Sequence, residues 1–155
     1  MMARAIELAR GAARLGEVPI GAVVYETETA RVLAEASNTR ESLRDPCGHA
    51  ELLAIRAAAS AIGDWRLNHC SLAVTLEPCP MCAGALVNAR LGRVLYGAAD
   101  PKAGAVRSLF TILEDDRLNH RCTVIEGVER EACAALLTDF FRSLRAKKNA
   151  TENTS

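Results

Sequence analysis

The chain has 155 residues, half of them apolar and a quarter charged, with 19 basic and 19 acidic side chains. This is ordinary globular composition, sufficient for one domain with a real core. A formal net charge of zero argues against a surface coated in positive charge for indiscriminate nucleic-acid binding, although it leaves room for a local basic patch.

In chain order, residues 2–15 carry helical periodicity, with Ile6, Ala9 and Ala13 on one stripe and Gly16 as the stop. Ile20 to Tyr25 is a short apolar run rich in β-branched residues and reads as a buried strand. The polar stretch 26–30 is a hairpin loop, and Arg31 to Ala36 is the returning strand. Ser37 to Gly48 lacks periodicity and contains Asp45-Pro46, so it is a loop. His49 opens a second helix, with Leu52, Ile55, Ala59 and Ile62 spaced as a core face and Gly63 as its end. Ser71 to Leu76 is a strand.

Pro78 and Pro80 start a third helix, because a proline in the first turn costs no hydrogen bond. Its early surface (Ala83, Gly84, Ala85) is small enough for another backbone to approach. Val94 to Gly97 is a strand, 99–119 a long connection, and Thr123 to Glu126 the last strand. Residues 129–146 form a closing helix, with Leu136, Leu137, Phe140, Phe141 and Leu144 as its apolar side. The alternation of strands and helices indicates a layered α/β domain with a mixed sheet of about five strands. The domain spans 1–147, and 148–155 reads as a disordered tail.

Six cysteines raise the question of disulfides. Their spacing is not that of a small disulfide scaffold, and the charged opening turn does not resemble a secretion signal. Cys70, Cys122 and Cys133 lie in apolar stretches and read as small core residues. A reduced, cytoplasmic chain is expected. No apolar run approaches the length needed to span a bilayer, so no membrane partner is expected.

The chemistry concentrates at His49-Ala50-Glu51 and Pro78-Cys79-Pro80-Met81-Cys82. Cys79 and Cys82 are three apart and share a face of a helix's first turn. The positive end of the helix favours their thiolates, the form that binds zinc. With His49 they make three ligands, which leaves a tetrahedral zinc one open position, as in catalytic rather than structural sites. Residues i and i+2 of a regular helix diverge, so His49 and Glu51 cooperate only where the chain enters the helix.

A redox Cys-x-x-Cys pair would leave His49 and Glu51 unexplained, and a closed structural zinc site would need a fourth protein ligand. Glu77 is a second carboxylate beside the site. Its expected role is structural, supporting the third helix's N-terminus, with the proton chemistry on Glu51. His69 and His120 have no such company and default to surface or hydrogen-bonding roles. His-x-Glu followed by Pro-Cys-x-x-Cys is the signature of zinc nucleobase deaminases.

Longer segments narrow this. TLEPCPMCAGA at 75–85, GRVLYGAADPKAGA at 92–105, and EACAALL at 131–137 followed by DFFR at 139–142 resemble the bacterial tRNA-specific adenosine deaminase family, over nearly the whole chain. The zinc motif alone also fits guanine, cytosine or riboflavin-pathway deaminases; the segments at 92–105 and 129–142 favour the tRNA branch. The resemblance implies the three-layer α/β/α fold of cytidine deaminases. It implies one zinc per subunit on His49, Cys79 and Cys82, and Glu51 as proton shuttle in hydrolytic conversion of adenosine to inosine at the wobble position.

It further implies that Asn38 contacts the target nucleoside. Asp100, Lys102, Asn119 with His120, Phe141 and Arg142 would meet a tRNA anticodon stem-loop, in a homodimer with sites near the subunit interface. Gly48, Cys47, Arg107 and the 26–30 hairpin depart from the family pattern without touching the ligands. The basic end (Arg142, Arg145, Lys147, Lys148) either contacts phosphates or forms a solvated helix face. At least one of Phe140 and Phe141 is expected in the core. A deaminase of free bases such as guanine and a non-catalytic zinc-stabilised RNA-binding protein are the alternatives.

Overall fold

The computed structural model describes residues 1–152. Its elements follow the expected order: α1 (Met2–Arg14), β1 (Gly21–Glu26), β2 (Val32–Ser37), α2 (Ala50–Ile62), β3 (Cys70–Leu76), α3 (Pro80–Asn88), β4 (Arg93–Ala98), a 3-10 turn (Ile112–Glu114), β5 (Thr123–Glu126) and α4 (Arg130–Glu152). Boundaries move by a residue or two. The exception is α4, which continues to Glu152 and takes in residues 148–152 of the expected tail; 153–155 lie outside the described residues.

The five strands form one mixed sheet in the order β2-β1-β3-β4-β5. β1 pairs antiparallel with β2 and β3, while β3, β4 and β5 run parallel. Both faces of β1 and β3 are buried, which is why these strands read as continuous apolar runs rather than alternating ones. On one face Ala22, Val24, Leu72 and Val74 pack with α2 and α3. On the other, Val23, Tyr25 and Ala73 pack with α1 and with Cys133 of α4. The result is the expected three-layer α/β/α domain. Cys70, Cys122 and Cys133 are buried, as their apolar surroundings indicate.

Two core faces differ from expectation. The buried side of α2 is Ala50, Glu51, Ala54, Ile55 and Ala58; Leu52 and Ala59 are half-buried and Ile62 is 37 % exposed. A helix laid close on a sheet presents its smallest side chains to it, so the alanine stripe won over the larger residues. On α4 the fully buried residue is Cys133, whereas Leu136, Leu137 and Phe140 are half-buried and Phe141 and Leu144 are exposed. Neither phenylalanine is in the core. They pack edge to face, ring centroids 5.4 Å apart. The close approach of α4 to the sheet falls at Gly97, where a Cβ would overlap the Cys133 side chain and lie 2.8 Å from the Thr75 carbonyl oxygen.

The register brings the chemistry to one end of the sheet. β3 and β4 are aligned with Leu76 opposite Ala98, so Glu77-Pro78-Cys79 and Ala99-Asp100 leave the sheet side by side. β2 ends at Ser37, and the Asn38 amide continues its pairing to the Ile20 carbonyl at 3.2 Å. The site thus opens beyond the carboxyl ends of the parallel strands, where open α/β sheets place their ligand crevices.

Candidate active site

His49 is the N-cap of α2, in extended backbone geometry (φ −87°, ψ 140°). This irregular entry is what allows His49 and Glu51 to face the same space. Cys79 is the N-cap of α3, with Pro80 in the first turn, and Cys82 follows within that turn. The ligand atoms of His49, Cys79 and Cys82 lie within 4.8 Å of one another. His49 Nδ1 is 3.7 Å from Cys79 Sγ and 3.5 Å from Cys82 Sγ. Bonds of about 2.3 Å to sulfur and about 2.0 Å to nitrogen in a tetrahedron separate such atoms by roughly 3.5 Å, so the trio is spaced for zinc.

Glu51 is 3 % exposed, and its Oε2 has no hydrogen-bond partner. Burial pushes its carboxyl up to about 7. A buried carboxylate with one oxygen unspent has capacity for a proton or a ligand group. The Cys79 thiol is brought down to about 5, first by the hydrogen bond with Cys82, with the α3 amides and His49 also contributing. The same hydrogen bond and burial push the Cys82 thiol up. Cys79 is therefore the more readily ionised of the two, and a divalent cation held by the trio would favour the thiolate form of both.

A cavity of about 760 Å³ opens onto His49, Glu51 and Cys79, while Cys82 is fully buried and does not line it. Asn38, Arg40, Asp100 and Lys102 line it as well. Leu137, Thr138, Phe141 and Arg145 of α4 form a further wall. Asn38 is buried and its Oδ1 accepts the Ala50 N–H at 3.0 Å. That bond holds the first turn of α2 and leaves the amide NH2 as the donor group of Asn38, a residue that lines the cavity. Asp100 Oδ1 accepts the N–H groups of Lys102 (3.0 Å) and Ala103 (3.2 Å), which fixes the turn at the pocket edge.

Not every expected residue meets here. Asn119 is exposed and outside the pocket, and its neighbour His120 bonds the Leu91 carbonyl through Nε2 at 2.7 Å. Arg142 pairs with Asp139 (3.2 Å) instead of lining the cavity. Arg145, read only as part of a basic end, takes that place. The signal was the i, i+4 spacing of Leu137, Phe141 and Arg145 on one helix face. Arg107 pairs with Glu114 and does not line the cavity.

Glu77 does not support the α3 N-terminus as expected. Its buried carboxylate instead accepts the N–H groups of Asp100, Val106, Arg107 and Ser108, because the loop after β4 folds back over it. Ser108 Oγ donates to it as well. Glu17, whose role the sequence left open, does the same for the opposite loop, accepting the N–H groups of Glu41 (3.1 Å) and Ser42 (2.6 Å).

Fold and site together define a deaminase of the cytidine-deaminase-like fold, with a three-ligand metal position and a buried carboxylate beside it. The MafB19-like deaminase family matches residues 1–145. The chain is 47 % identical over 149 residues to the tRNA-specific adenosine deaminase of Bacillus subtilis, covering 96 % of this chain and 91 % of that one. It is 42 % identical over 148 residues to the tRNA-specific adenosine deaminase of Haemophilus influenzae, covering 96 % and 85 %. A solved structure from work on A-to-I editing by tRNA:A34 deaminases at the wobble position superimposes with a TM-score of 0.83, at 42 % identity, covering 88 % of this chain and 97 % of that one. The chain belongs to the tRNA-specific adenosine deaminase family.

Proposed function

We propose that this protein converts adenosine to inosine at the wobble position of a tRNA anticodon loop, by hydrolysis at one zinc per subunit. Relatives named tRNA-specific adenosine deaminase cover nearly the whole chain, and a solved structure from work on A-to-I editing at the wobble position superimposes on it. The observation that carries the reading is the clustering of His49, Cys79 and Cys82 at a cavity that His49, Cys79 and Glu51, with its unspent oxygen, line.

His49 Nδ1 and the two thiolates would hold the metal. When bound, zinc supplies an acidified water, its pKa reduced from about 15.7 to roughly 7. Glu51 receives a proton from the attacking water as its oxygen bonds to C6 of the adenine. Glu51 delivers that proton to N1. It then moves the remaining hydroxyl proton to the exocyclic amine. The C6–N bond breaks, ammonia leaves, and the carbonyl of inosine forms, so adenosine plus water gives inosine plus ammonia. Acid–base help of this kind contributes about 10² to 10⁴ in rate. The Asn38 amide holds the nucleoside in register. The base reaches the floor of the cavity only when splayed out of its stack, which a single-stranded loop permits more cheaply than a duplex.

Phe141 and Arg145 stand where an aromatic face and a cation can meet a flanking base and phosphate. Asp100 and Lys102, which line the same cavity, meet the RNA there, and Asn119 and Arg142 contact it outside the pocket. The protein acts as a homodimer. The surface of α3 at Gly84 is open, with no atom within 4 Å of a Cβ placed there, and Phe110 is 54 % exposed. A cytoplasmic reaction goes with a tRNA substrate, as the names of the relatives suggest. Ammonia release from an anticodon stem-loop with adenosine at the wobble position tests the reading. Turnover of free guanine with none of the stem-loop would overturn it.

A further inference from the structure

We infer that Glu77 is a positioning residue for substrate: it clamps loop 99–108, which carries Asp100 and Lys102, against the strand that leads to the ligand Cys79. The inference rests on the functional reading above in taking the cavity as the nucleoside site.

The carboxylate is 2 % exposed. Its Oε1 accepts the N–H groups of Val106 (3.0 Å), Arg107 (2.7 Å) and Ser108 (2.9 Å). Its Oε2 accepts the Asp100 N–H at 2.9 Å and the Ser108 hydroxyl. A carboxylate offers roughly four lone-pair sites, so five donors saturate it. Unlike Glu51, Glu77 has no acceptor capacity left for water, substrate or a proton in transit. Gly104 lies directly against it, and a Cβ there would overlap the carboxylate. The backbone closes the same unit, with Glu77 N–H to the Ala98 carbonyl and Ala105 N–H to the Pro78 carbonyl, each at 2.8 Å. The arginine in the loop leaves the carboxylate to these amides, since Arg107 pairs with Glu114.

Asp100 is the joint of this arrangement. Its N–H is held by Glu77, its carboxylate shapes the turn through Lys102 and Ala103, and it lines the cavity. Releasing Glu77 frees four amides, the buried one of Val106 and the part-buried ones of Asp100, Arg107 and Ser108, and lets one wall of the pocket move relative to the ligands. The chemistry on Glu51 stays in place, so the loss falls on substrate binding.

The test compares the zinc-loaded full chain with Glu77→Gln and, independently, Gly104→Ala, which disturbs the clamp without changing its carboxylate. Zinc per chain, steady-state kinetics on the stem-loop and amide hydrogen exchange are measured for each. Both variants are expected to keep their zinc and to exchange faster at residues 100–108 but not at 83–88. Loss of charged hydrogen bonds of this kind corresponds to roughly a tenfold to hundredfold rise in KM. The value of kcat should stay within about threefold, the pattern of lost uniform binding. Zinc loss with exchange at 100–108 unchanged would overturn the inference and assign Glu77 to the ligand helix. Faster exchange with KM unchanged would overturn the positioning role. A wild type inactive on the stem-loop overturns the functional reading instead, while the exchange measurement still decides whether the clamp exists.

Discussion

Gly97→Ala tests how the fold supports the site. Gly97 lies in β4 under α4, and its φ is not in the left-handed region, so alanine brings no backbone penalty there. The penalty is spatial. A Cβ would overlap Cys133 Sγ, lie 2.7 Å from Cys133 Cβ and 2.8 Å from the Thr75 carbonyl oxygen. Relieving the Cys133 overlap requires α4 to lift, and the Thr75 carbonyl, held in the neighbouring strand, requires a shift within the sheet as well. Overpacking of a close contact costs about 1 to 3 kcal/mol. In a domain of this size each kcal/mol lowers Tm by about 2 to 4 °C.

The same movement displaces Leu137, Phe141 and Arg145, three residues of the cavity wall. Denaturant unfolding should therefore show lower stability, and stem-loop kinetics a raised KM with zinc retained. Adding Cys133→Ala removes only the sulfur from the overlap and should recover part of the stability. A neutral Gly97→Ala variant, within about 0.5 kcal/mol of wild type as an ordinary surface change would be, would refute the close packing of α4 on β4.

Asn38→Ala leaves the buried Ala50 N–H without its acceptor, at a cost of about 1 to 3 kcal/mol. It should weaken substrate binding as well, which denaturation and KM report separately. The Glu17 carboxyl is lowered from its ordinary value of 4.5; burial opposes this, but the Ser42 and Glu41 N–H groups outweigh it. Its folded value being the lower one, its stabilisation is complete above about 4.5 and fades as pH falls through the folded value. Denaturation curves of Glu17→Gln should therefore show a shallower acid limb than wild type, and parallel limbs would refute the assignment. Cys82→Ser breaks the trio, so native mass spectrometry should find the wild type with one zinc per chain and the variant without; equal loading would exclude Cys82 as a ligand.

The metal trio was legible because its constraints are local. Cys79 and Cys82 share one helical turn, and the N-cap position of His49 explains how His49 and Glu51 can face the same space. Helix stops were legible at Gly16 and Gly63, which adopt positive φ of 82° and 74°. The buried face of α2 was misjudged because apolar spacing alone does not say how near the sheet lies; the close distance selected Ala50, Ala54 and Ala58. The roles of Glu17 and Glu77 were out of reach for a different reason. Their partners are loop amides, which carry no side-chain signature, and they lie 23 to 31 residues away in sequence. Arg145 was hidden among other basic residues until α4 was placed over the cavity.

The central claim is that Glu51, beside a zinc held by His49, Cys79 and Cys82, drives deamination of a wobble adenosine. It is tested most directly by following inosine and ammonia from an anticodon stem-loop with wild type and Glu51→Gln, zinc content measured on both. The account predicts equal zinc, stoichiometric inosine and ammonia from the wild type, and a rate lower by about 10² to 10⁴ in the variant. Undiminished turnover by Glu51→Gln, or a zinc-loaded wild type that leaves the stem-loop unchanged, would contradict it.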